Sequence, residues 1–91
     1  MAGEAGFREV LEAFLESLPD LRRTLQERFD CGDVAGLRVR AHQLRGSAGG
    51  YGFPALTAIA ARLEAACEAG AMERIGDDLD GLLAYLERIG T

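Results

Sequence analysis

Apolar residues recur three and four positions apart along almost the whole chain, the spacing that lays one face of a helix against a core. Phe7, Val10, Leu11, Phe14 and Leu18 form the first such stripe. Pro19 interrupts it, and Ser17, with Asp20 three residues on, reads as the cap of a second helix carrying Leu18, Leu21, Leu25 and Phe29. Proline suits a first turn, because its missing N–H would have no partner there. The segment Cys31-Gly32-Asp33 is a break: glycine ends a helix and aspartate caps the next. Val34, Leu37, Ala41, Leu44 and Ala48 then line a third helix. Leu56, Ile59, Ala60, Leu63 and Cys67 line a fourth, with Pro54 in its first turn and Gly70 at its end. Met72, Ile75, Leu79, Leu82, Leu83, Leu86 and Ile89 line the last. No strand alternation and no internal repeat interrupts this pattern.

Short connections make consecutive helices antiparallel neighbours. The expected fold is all-α: an up-and-down antiparallel four-helix bundle with an additional N-terminal helical segment, one domain over residues 1–91. A chain of 91 residues buries a single core of modest stability.

One stretch does not serve helix stability. The segment AHQLRGSAGGYG, residues 41–52, holds the chain's single histidine and four glycines within a helical pattern. Gly46 and Gly49 together cost about 2 kcal/mol of helix propensity. At about 100° per residue, His42 falls well away from the apolar stripe, on a face shared with Arg38, Arg45, Gly46 and Gly49. Imidazole is a nucleophile when neutral. Guanidinium groups neutralise an arriving phosphoryl group, and a bare glycine admits a partner's backbone. Taken on spacing alone, the same residues also fit an ordinary polar helix face with a frayed end.

The net charge of −5 argues against nucleic acid or an anionic membrane as partner. No apolar run reaches the length of a membrane span, and the start carries no secretory pattern. A cytoplasmic protein is expected. Cys31 and Cys67 have neither disulfide nor metal spacing, and one histidine with two separated thiols is too few ligands for a metal site. No phosphate-binding GxxxxGK[ST] loop is present.

AHQLRGSAGGYG resembles the signature of the histidine-containing phosphotransfer (HPt) domain, roughly A-H-x-L-K-G-[SA]-[SA]-x-x-x-G, matching at Ala41, His42, Leu44, Gly46, Ser47, Ala48 and Gly52. CGDVAGL is similar to that family's turn into the histidine helix. LTAIAARLEAACEAG is similar to its following helix, with Leu63-Glu64 in the usual place and Gly70 at the end.

The resemblance implies a four-helix bundle with an exposed mid-helix histidine. It implies a phosphocarrier in two-component phosphorelay, with His42 accepting and donating the phosphoryl group through Nε2. The partner implied is a receiver domain of a response regulator or hybrid histidine kinase, which supplies Mg²⁺ and the aspartate. The chain itself needs no cofactor and has no ATP site. Arg45, standing where the family usually has lysine, and Arg38 supply charge. Gln43, Gly46, Gly49, Ala35 and Val39 form the docking face. Tyr51 belongs either to that face or to the edge of the core. The alternative is a helical bundle that docks a receiver or kinase without carrying phosphate. A monomer is expected.

Overall fold

The computed structural model describes residues 2–90, with side chains from residue 6 onward. Four helices follow one another: α1 (Ala2–Asp30), α2 (Val34–Ala48), α3 (Pro54–Ala69) and α4 (Met72–Gly90), with a single 3₁₀ turn, Gly49–Tyr51, after α2. Neighbouring helices run antiparallel. Gly49 approaches Thr57 while His42 meets Glu64 across α2 and α3. Phe29 touches Gly76, and Leu18 touches Gly90, across α1 and α4. The four inward faces enclose one core built on Leu18, Leu25, Leu37, Leu56, Leu63, Ile75, Leu79, Leu82 and Leu86, all fully buried.

The chain folds this way because the stripes are long enough to meet and the turns are sharply specified. Gly32, Gly52 and Gly70 take the left-handed conformation that only glycine adopts without strain. Each closes its helix with the same pair of backbone bonds. Gly32 N–H donates to Phe29 O and Asp33 N–H to Arg28 O; Gly52 N–H to Gly49 O and Phe53 N–H to Ala48 O; Gly70 N–H to Cys67 O and Ala71 N–H to Ala66 O. These pairs satisfy carbonyls that a helix end leaves without partners. Asp33 caps α2, its side chain accepting from Gly36 N–H at 2.9 Å. Pro54 begins α3.

Two expectations are corrected. Pro19 does not divide two helices: α1 runs unbroken through it, so the additional N-terminal segment is the first part of α1. Ser17 is not a cap, because its hydroxyl donates to Phe14 O at 2.7 Å inside the helix. Phe14 and Leu18 before the proline, and Leu25 after it, all enter the same core. That shared burial outweighs the one backbone bond proline removes. Second, Phe7, Val10 and Met72 are about half exposed. At about 1.5 Å per residue, the 29 residues of α1 extend well past the shorter helices, and Phe7 and Val10 lie on that projection. α2 itself ends at Ala48, with Gly49 as its C-cap. Gly49 keeps right-handed geometry and leads into the 3₁₀ turn, and Gly52 ends that turn.

Candidate functional site

α2 carries Arg38, Arg40 and Arg45 and no acidic residue, a positive helix in a negative chain. Its buried side is Leu37, Ala41, Leu44 and Ala48, the stripe expected from spacing. That orientation turns His42 outward, and its side chain is 59% exposed.

The imidazole is nevertheless anchored. Its Nδ1 lies 2.7 Å from Oε2 of Glu64 on α3. Glu64 is only 5% exposed, the single buried charged residue among those described. An ionised carboxylate only accepts, so in a neutral ring this contact favours the tautomer with the proton on Nδ1 and the lone pair on Nε2. Among the described residues no protein atom bonds Nε2. The second oxygen of Glu64 faces Arg45, whose Nη1 stands 3.1 Å from Oε1. The N–H is not aimed at that oxygen, which is buried and accepts no hydrogen bond. The contact is therefore an ion pair without hydrogen-bond alignment. Arg45 itself is 44% exposed.

The other sequence-expected residues divide into two groups. Arg38, Ala35, Val39, Gln43, Gly46 and Gly49 are exposed on α2 or at its end, on or beside the His42 face. A Cβ built on Gly46 meets nothing within 4 Å, so nothing in the described molecule requires glycine there. Tyr51 belongs to the core edge: its ring stacks on Phe14 with centroids 4.4 Å apart. Beside His42, on the α1 side, lies an open groove lined by Thr24, Arg28, Asp33, Val39, Arg40 and Gln43, among others. No cluster of three metal-ligating side chains occurs among the described residues, and no described helix is long and apolar enough to cross a membrane.

Spacing did not yield Glu64 as a site residue. On the α3 wheel it borders Leu63 and Cys67, and its role appears only once α2 and α3 are packed. The resemblance had marked it by position alone. Arg45 in place of lysine follows a chain-wide choice, since all ten basic residues are arginine.

A family model for the Hpt domain matches residues 9–91. The chain belongs to the Hpt domain family. Comparison with curated proteins and with solved structures gives no match. Hpt domains are helical bundles that carry phosphoryl groups in His-Asp phosphorelays and interact with receiver domains. This Hpt domain accordingly has a phosphotransfer role, as a carrier rather than a catalyst.

Proposed function

We propose that His42 is the residue that carries the phosphoryl group. Its Nε2 lone pair attacks the phosphorus of an aspartyl phosphate held by a receiver domain of a response regulator or hybrid histidine kinase. The N–P bond forms as the O–P bond breaks, and the aspartate carboxylate leaves with the electron pair. Donation to a second receiver runs the same step in reverse. One observation carries this reading: the imidazole is exposed while its Nδ1 is tied to the buried Glu64 carboxylate, so the nitrogen left for chemistry is the outer one.

The rest of the face supports the step. Such transfer needs positioning and charge neutralisation more than covalent chemistry. Arg45, and Arg38 beside it, supply positive charge. Gln43, Gly46, Gly49, Ala35 and Val39 form the docking face, and bare Gly46 gives the receiver clearance. The receiver supplies Mg²⁺ and the aspartate; the Hpt domain needs no cofactor, works as a monomer and operates in the cytoplasm.

Incubation with phosphorylated receivers tests this. Wild type should gain an acid-labile, base-stable phosphate, and His42→Gln should gain none. A wild type that binds receivers yet stays unlabelled would instead be a docking bundle without a phosphoryl group.

A further inference from the structure

We propose that Arg45 exchanges partners when the phosphoryl group arrives, leaving Glu64 and closing on the phosphoryl oxygens. The proposal rests on His42 Nε2 as the phosphorylated atom.

The argument is electrostatic. Before transfer the cluster holds a neutral ring, the Glu64 carboxylate and the Arg45 guanidinium. Attack by Nε2 commits its lone pair to phosphorus while Nδ1 keeps its proton. Both ring nitrogens are then substituted, and the ring carries a positive charge beside a phosphoryl dianion. Glu64 Oε2, already 2.7 Å from Nδ1, now faces a cationic N–H, so its charge is answered by the ring itself. A buried carboxylate is costly only when nothing pairs with it, and the phosphorylated ring removes that cost for Glu64. Arg45 is freed by the same event that creates a stronger partner for it.

Three observations make the exchange feasible. The Arg45–Glu64 contact lacks hydrogen-bond alignment, and Arg45 is 44% exposed, so little is lost on leaving. Arg45 follows His42 by three positions, neighbours on one helix surface, and both side chains already reach the two oxygens of one carboxylate. Gly46 places no side chain beside them. Guanidinium then meets phosphoryl as a planar fork, a geometry that lysine's ammonium cannot reproduce.

The experiment uses phosphoramidate, a small donor that phosphorylates imidazole without a protein partner and releases ammonia. The ³¹P signal of the labelled protein is followed against pH, together with the ¹⁵N side-chain signals of Arg45. The midpoint read this way is loss of the Nδ1 proton from the phosphorylated ring, and a guanidinium drawn to the phosphoryl group opposes the cationic form of that ring. The midpoint should therefore lie about one pH unit higher in Arg45→Gln than in wild type, a tenfold change in proton affinity. Arg38→Gln, which removes a charge with no contact to Glu64, should move the midpoint much less than Arg45→Gln does, and the Arg45 signals of wild type should move on labelling. An unchanged midpoint in Arg45→Gln, a shift that follows Arg38→Gln instead, or Arg45 signals that stay put would each overturn the exchange. Labelling by phosphoramidate but by no receiver would remove the carrier reading and leave the exchange standing. A His42 that neither phosphoramidate nor a receiver labels removes both.

Discussion

Glu64 reaches across from α3 to hold Nδ1 of His42 on α2, joining residues 22 positions apart through one 2.7 Å contact. On the proposed function Glu64 is a positioning residue: it favours the Nδ1–H tautomer without itself touching phosphorus. In Glu64→Ala the ring proton is no longer pinned, and the ¹⁵N signals of His42 should show loss of the Nδ1–H form. Phosphoryl transfer should fall about tenfold, the rate equivalent of one charge-assisted hydrogen bond of ~1.5 kcal/mol. Transfer at the wild-type rate with the tautomer unchanged would deny Glu64 this role.

Two glycines of α2 should respond oppositely to alanine. At Gly46 the added methyl meets nothing within 4 Å, so Gly46→Ala should stabilise the fold by about 1 kcal/mol, the helix-propensity difference. At Gly36 the same methyl would lie 2.3 Å from Asp33 Oδ2, displacing the carboxylate that caps the helix. Gly36→Ala should therefore lose stability. Thermal melts of the two variants decide this. Gly46→Ala should also slow transfer from a receiver while leaving labelling by phosphoramidate unchanged.

Asp33 gives the fold an acid-sensitive element. The Gly36 N–H, and then the Arg28 guanidinium 3.2 Å away, hold its carboxyl below the ordinary 3.8. The folded state binds this proton more weakly than the unfolded chain, so the stabilisation is complete above about 3.8 and is lost as pH falls through the lower folded value. Asparagine caps as well but does not titrate. The stability difference between wild type and Asp33→Asn, measured from pH 7 downward, should hold steady until that range and shrink within it.

The two thiols should separate by reactivity. Cys31 is exposed in the α1–α2 turn, and Cys67 is buried. Burial pushes the Cys67 thiol up, against a smaller opposing pull from Arg38, and the thiolate is the reactive form. Alkylation of native protein at neutral pH should place a single label on Cys31, read by mass spectrometry. Both cysteines should react after unfolding.

Much of the bundle was legible in the sequence because its signals are local. Leu37, Ala41, Leu44 and Ala48 were readable as a buried stripe from spacing, and Gly32, Asp33, Pro54 and Gly70 as helix punctuation from their own chemistry. Pro19 misled because a local rule was set against burial on both sides of it, which no window of sequence weighs. Phe7 and Val10 continue the stripe of Phe14 perfectly well. They are exposed because the other helices stop short of them, a matter of relative lengths. The outward placement of His42 followed from the wheel, whereas its tie to Glu64 depended on the register between α2 and α3, which hydrophobic periodicity does not fix.

The connections between the helices span only residues 31–33, 49–53 and 70–71, and in each a left-handed glycine and the residue after it both bond back to the preceding helical turn. None has the slack to fold over the middle of α2 as a lid. On the proposed function, bulk water therefore reaches a phosphorylated His42 as freely as a docking protein does, and with no shutter among the described connections the lifetime of its N–P bond between encounters would be set by the charges around the ring.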